Sequence, residues 1–303
     1  MTLRGLVAAT YTPMRRDGSV NTDLFKPMFD FMVEIGVAGF YVCGSTGEGP
    51  SLTAEERRLV AEESIRAADG RAPVIVQVGS NSVEEARELA AHAASNGANA
   101  ISSVPPLYFK PSNVASLVES VAQITSGAPD IPFYYYHIPR LSGVCIDMIG
   151  FMKEAREKVP SFAGIKYSDF NLSEFRLCQE FDDGRFDILF GSDEMMLGAV
   201  AMGAKGAVGS SYGFAAPLWN RILQAYSDGD TDQALQQQSI ATNLVRFLDQ
   251  NPGPYQAVVK QVVWAELGFD IGCLRSPQTV LTDSEVTKAR QALRDSGYLA
   301  RIR

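Results

Sequence analysis

The sequence predicts an α/β fold, a (β/α)8 barrel with a C-terminal helical appendix, and three observations predict it. Eight short apolar runs rich in β-branched and aromatic residues recur along the chain; amphipathic stretches with helix start signals separate them; and after Gly213 the strand pattern stops and helical periodicity continues alone. Successive runs begin 19 to 35 residues apart, the spacing of repeated strand–helix units joined by right-handed crossovers, hence of a parallel sheet. Eight such units favour closure into a barrel over an open sheet.

Taken in order, the runs cover residues 5–9, 39–43, 74–78, 100–104, 133–136, 163–165, 188–190 and 207–208. Thr53-Ala-Glu-Glu56 and Ser82-Val-Glu-Glu85 open two of the intervening helices, with a hydroxyl and a carboxylate placed to satisfy free amides reciprocally. Gly36-Val-Ala-Gly39, Gly97-Ala-Asn-Ala100 and Gly203-Ala-Lys-Gly206 put a glycine where a helix hands over to a strand, as a left-handed terminus requires. The barrel is assigned to residues 1–213 and the appendix to 214–303, with helices expected at 217–228, 231–248, 255–267 and 284–297, the last opened by Thr282-Asp-Ser-Glu285. Its joints, Asn251-Pro-Gly-Pro254 and Arg275-Ser-Pro277, read as turns, so the appendix is expected to pack on the barrel.

Composition excludes several classes. The chain has 303 residues, 46% of them apolar and 20% charged, enough to bury a large core. Lys and Arg number 27 against 35 Asp and Glu, a net charge of −8 spread without a run of like charges, which disfavours nucleic acid as a partner. Four cysteines without CxxC spacing are expected to be reduced thiols. The first residues are too short an apolar run for a secretion signal, and no stretch approaches 18 apolar residues, so a cytoplasmic protein without a membrane span is expected.

Reactive groups of such a barrel gather where its strands end. Run two leads into Gly44-Ser45-Thr46-Gly47-Glu48, run four into Pro105-Pro106-Leu107-Tyr108, and run five into Tyr136-His137. Run six leads into Lys166, run seven into Gly191-Ser192-Asp193-Glu194, and run eight into Gly209-Ser210. Of eight lysines only Lys166 follows a strand. At a pKa of about 10.4 roughly one amine in a few thousand is neutral at pH 7, so attack on a ketone needs a dry site that disfavours the ammonium. A lysine paired with Asp193 or Glu194 is the alternative.

The Gly44-to-Glu48 turn offers amides and hydroxyls that suit a small carboxylate, or is simply a turn. Tyr134 and Tyr136 share one strand face and Tyr135 takes the other; Tyr136 is either a core phenol or a proton carrier. His92 falls within a helix, whereas His137 stands near the mouth with its role open. Asp193 and Glu194 fit sugar hydroxyls or the start of the following helix. With no HExxH and no histidine pair, a metal site is poorly supported.

Five motifs in order are recognisable: Gly44-Ser-Thr-Gly-Glu48, Pro106-Leu-Tyr108-Phe-Lys-Pro111, Tyr134-Tyr-Tyr-His-Ile-Pro139, Gly164-Ile-Lys166-Tyr-Ser168 and Gly191-Ser-Asp193-Glu194. By them nearly the whole chain resembles the N-acetylneuraminate lyase and dihydrodipicolinate synthase superfamily. The resemblance implies a TIM barrel, usually a homotetramer. It implies a Schiff-base aldolase without metal or organic cofactor, acting on a small 2-oxo acid and an aldehyde or amino sugar. Lys166 would form the imine, Tyr136 would carry protons, Ser45 would connect to it, and Tyr108 would enter the neighbouring subunit's site. Thr46 would hold the 2-oxo acid carboxylate, and Ser168, Gly191, Asp193, Glu194 and Ser210 the sugar chain.

One departure separates the branches. The synthases typically carry an arginine two residues after the proline of the strand-five motif; here that residue is Leu141, and Arg140 stands one position early. A guanidinium displaced by one residue is expected to point elsewhere, which removes an ion pair to the synthase substrate. The resemblance therefore implies the lyase branch, cleaving N-acetylneuraminate to pyruvate and N-acetylmannosamine. Dihydrodipicolinate synthase, an aldolase of 2-keto-3-deoxy sugar acids, and a non-catalytic metabolite-binding barrel are the alternatives.

Overall fold

Eight parallel strands close on themselves in the computed structural model, which describes residues 2–302. They are β1 (Gly5–Ala9), β2 (Gly39–Val42), β3 (Val74–Gln77), β4 (Ala100–Ser103), β5 (Phe133–His137), β6 (Phe162–Tyr167), β7 (Asp187–Phe190) and β8 (Gly206–Gly209), with β8 returning to pair with β1. Every predicted run is a strand. β5 and β6 continue past their apolar runs, pairing Tyr136 with Lys166 and His137 with Tyr167, so polar side chains that end an apolar pattern remain in the ladder.

Alternation sorts the walls. Val7, Tyr41, Ile75, Tyr134, Tyr136, Leu189 and Val208 point into the barrel and form one cluster; Leu6, Phe40, Val76, Ile101, Tyr135, Ile165 and Phe190 point outward under the helices and belong to a second. At the amino end the Tyr134 hydroxyl donates to Asp187 at 3.0 Å, and the Leu3 amide donates to the same carboxylate at 2.9 Å. Gly164 lies beneath, where a Cβ would collide with the Asp187 backbone. This floor is shut by satisfied polar groups, which leaves the carboxyl end as the open mouth.

The junction glycines behave as their positions require: Gly36, Gly97 and Gly203 have φ of 90°, 89° and 99°. Thr53 with Glu56 and Thr282 with Glu285 form complete capping boxes. Ser82 makes only half of one, because the Glu85 carboxylate accepts from Ser80 instead. Among the described residues no helix is long and apolar enough to cross a membrane, and all four cysteines are free thiols.

After β8 the chain is helical: Tyr212–Ser227, Thr231–Gln250, then Tyr255–Val258 running through a π-helical stretch Val259–Val263 into Trp264–Glu266, and Asp283–Asp295. The first starts five residues before the expected 217 because a turn precedes Pro217, with a kink at Ala215 (φ −135°); a division at 213/214 falls inside it. The appendix is seated against the barrel through Trp264, which is fully buried and meets Tyr11 edge-on at 6.4 Å between ring centroids.

Candidate active site

Lys166 reaches the mouth because β6 alternates: Gly164 and Lys166 face inward while Ile165 and Tyr167 pack outward. Its pairing with Tyr136 across the β5–β6 ladder sets the two side chains beside each other. The Lys166 Nζ lies 3.8 Å from the centroid of the Tyr136 ring and 3.7 Å from that of Tyr41. The residue is 4% exposed, and no ion pair among the described residues includes it. Burial lowers its pKa from 10.5 to about 7, with Asp193 opposing the shift. Two aromatic faces favour an ammonium; burial opposes them by stripping the charge of water.

A cavity of about 460 Å³ opens above this amine. Ser45 and Thr46 line it from the turn after β2, Gly191, Asp193 and Glu194 from the end of β7, and Ser210 from the end of β8. Burial pushes the Tyr136 phenol up, and the adjoining Ser45 and Ser168 hydroxyls pull it back. The Ser168 Oγ is buried beside that phenol and does not line the cavity. Position 191 must be glycine, because a Cβ there would collide with that oxygen.

Asp193 is fixed from below. Its carboxylate accepts from the Ser211 amide at 3.0 Å and the Ser211 hydroxyl at 2.5 Å, and a side chain at Gly209 would collide with it. Burial, with Glu194 nearby, raises its pKa to about 6, so it is mostly ionised at neutral pH. Asp193 and Glu194 open a short helical turn, Asp193–Met195, and also line the cavity. Among the described residues no three His, Cys, Asp or Glu side chains cluster closely enough to hold a metal ion.

Three expected positions stand outside the lining: Ser168, Tyr108 and His137. Tyr108 does not line this cavity; it is 79% exposed, crossed edge-on by Phe109 at 5.0 Å, on a loop whose Leu107 and Tyr108 amides donate to Asn81. His137 is 3% exposed and faces outward with Tyr135, its ring 5.0 Å from that of Tyr167. Strand parity thus takes His137 away from the cavity.

The sequence model of the dihydrodipicolinate synthetase family matches residues 2–296. The chain belongs to this family. It is 40% identical over 279 residues to N-acetylneuraminate lyase A of Xenopus laevis, covering 91% of this chain and 90% of that relative. Among solved structures it is similar to the N-acetylneuraminate lyase (sialic acid aldolase) of Aliivibrio salmonicida, with a TM-score of 0.94 at 35% identity over 99% of this chain and 98% of the other. The N-acetylneuraminate lyase of Proteus mirabilis gives the same TM-score of 0.94 at 35% identity, covering 99% and 100%.

Within the family, the region after strand five corrects an expectation. Arg140 does not point away; it lines the cavity together with Leu141, its guanidinium 5.9 Å from the Phe170 ring centroid. Pro139–Ser142 is a helical turn, so neighbouring residues are rotated by about 100° rather than placed on opposite faces. Sequence reasoning also missed the appendix's contribution to the cavity wall. Thr242, Val245, Arg246 and Asp249 line it from Thr231–Gln250, and Tyr255 adds a hydroxyl 3.3 Å from that of Ser210. Their i, i+3, i+4, i+7 spacing marks one helix face and was the available signal.

Proposed function

We propose that this chain is a class I aldolase that reversibly cleaves N-acetylneuraminate to pyruvate and N-acetylmannosamine through an imine on Lys166. One observation carries the reading: a buried lysine that makes no ion pair among the described residues, with a pKa lowered by burial to about 7, at the floor of a cavity lined by Ser45, Thr46, Asp193, Glu194 and Ser210. Lyases of that name from Xenopus laevis, Aliivibrio salmonicida and Proteus mirabilis support the choice of sugar.

The neutral amine attacks C2 of the open-chain sugar acid, and loss of water leaves a protonated imine. Tyr136 carries protons in these steps, a role that its nearness to the Lys166 amine supports. Removal of the C4 hydroxyl proton breaks the C3–C4 bond, the electron pair passes into the imine as an enamine, and N-acetylmannosamine leaves as the aldehyde. Protonation of the enamine at C3 and hydrolysis then release pyruvate and restore the amine. Thr46 and the amides of its turn receive the carboxylate, with Ser45 beside the phenol. Gly191, Asp193, Glu194 and Ser210, which line the cavity, receive the polyhydroxyl chain, and Ser168 sits behind Gly191 beside the phenol. The exposure of Tyr108 supports its delivery into the site of a second copy in a homotetramer.

A second reading is favoured by Arg140 and Arg246 at the cavity wall: a 2-oxo acid whose far end is anionic. Steady-state assays on N-acetylneuraminate, 2-keto-3-deoxygluconate and aspartate semialdehyde separate the readings. Turnover of sialic acid well above the other two is expected, and none at all would end the first.

A further inference from the structure

The glutamate that closes Gly44-Ser-Thr-Gly-Glu48 does not line the cavity and has no part in the steps above. It is nevertheless 2% exposed and left-handed, with φ of 59°, a conformation that a glutamate holds only when its surroundings enforce it. Those surroundings come from the other end of the chain. The Lys260 ammonium donates to Glu48 Oε1 at 2.5 Å, and the Arg275 amide and the Gln278 side chain donate to Oε2 at 2.8 Å and 3.3 Å. Both side chains of the ion pair are out of solvent, at 1% and 0%. Lys260 sits in the π-helical stretch Val259–Val263, a local widening that recurs at functional positions.

The same residue is bonded directly to the ligand-facing turn. The Glu48 amide donates to the Ser45 carbonyl at 3.2 Å, and Gly49 to Gly44 at 3.0 Å. Gly49 packs so tightly on Cys43 that a Cβ would collide with its carbonyl, and the Gly47 carbonyl accepts from Thr12 at 2.6 Å. The loop carrying Ser45 and Thr46 thus has little freedom of its own. Its orientation is set by Thr12, in the segment after β1, on one side and by the appendix on the other.

We propose that Glu48 and Lys260 are positioning residues, an ion-paired latch through which the C-terminal appendix holds Thr46 and the amides of its turn in register for the 2-oxo acid carboxylate. The proposal rests on the aldolase reading and concerns only the pyruvate half of the site. The latch should therefore govern how much pyruvate is needed, and leave the amine's reactivity and the sugar half unchanged.

The test is the pyruvate dependence of borohydride trapping on Lys166, followed by mass in the full chain. Removing one partner alone would strand a buried charge, so the informative variant is Glu48→Gln with Lys260→Met. In that variant the pyruvate giving half-maximal adduct should rise about tenfold or more, with the maximal adduct retained. The N-acetylmannosamine dependence of condensation should shift less than about twofold. An unmoved pyruvate dependence, or equal losses at both ends, overturns the proposal. If the double variant does not fold, Gln278→Ala decides: a two- to threefold rise is expected, as an order of magnitude for losing one weak donor, and no change overturns it. A wild-type chain that forms no adduct at saturating pyruvate sinks the aldolase reading and this inference together. An adduct whose pyruvate dependence the variants leave unmoved sinks this inference alone.

Discussion

Two lysines of this chain are almost wholly buried, and they have opposite chemistry. Lys260, 1% exposed, lies at the seam between appendix and barrel with the Glu48 carboxylate against it; burial lowers its pKa, and that carboxylate pulls it back. Lys166, 4% exposed, lies at the barrel mouth between two tyrosine rings and makes no ion pair among the described residues; burial takes its pKa down to about 7 against the weaker pull of Asp193. Burial is common to both; the counter-ion is not. A dry lysine becomes a nucleophile only where the fold withholds its partner, and becomes a clamp where the fold supplies one.

The contrast can be broken most severely at the mouth. Lys166→Met should lower turnover by about 10⁴-fold or more, since no other amine can form the imine; steady-state assay checks it. The same substitution should cost little stability in urea unfolding, because it deletes a buried charge and leaves Asp193 its two hydrogen bonds from Ser211. Lys260→Met should do the reverse. It leaves Glu48 buried and unpaired, so unfolding free energy should fall by about 3–5 kcal/mol, measured by the urea midpoint at constant slope. Equal stability losses in the two variants would refute the distinction.

Smaller effects sharpen it. Tyr136→Phe should slow turnover by about 10²-fold while the pyruvate dependence of trapping moves less than about threefold, as expected for a proton carrier rather than a binding group. The rate of trapping should climb with pH and level off above about 7, because only the unprotonated Lys166 amine attacks and its pKa is about 7. Below that point each pH unit should cost about tenfold. Because the folded pKa lies below the unfolded value of about 10.4, the unfolded chain binds the extra proton between these limits. The stability of Lys166→Met relative to wild type should therefore be higher at pH 6 than at pH 10. A trapping profile still rising at pH 9 would place Lys166 with ordinary lysines.

Much of this was legible before folding. The eight strands follow from short β-branched runs, and Lys166 stood out because only it among the lysines follows such a run. The inward pairing of Tyr134 and Tyr136 follows from a period of two. His137 was also decidable by the same parity, since it shares a face with Tyr135, although nearness to the mouth drew attention first. Arg140 reaches the cavity because it lies in a helical turn, where a shift of one position is a rotation of about 100°. The appendix residues on the cavity wall, Arg246 and Thr242 among them, were hidden by distance along the chain.

Local order alone determined the barrel, the candidate nucleophile and the glycine-bounded turn beside it, because periodicity and backbone sterics act over a few residues. What tertiary structure decided was the company each group keeps. Whether a buried amine meets Glu48 or two phenol rings depends on contacts between segments as far apart as residues 48 and 260. No local pattern records those contacts, and electrostatic energy depends on separation in space rather than along the chain.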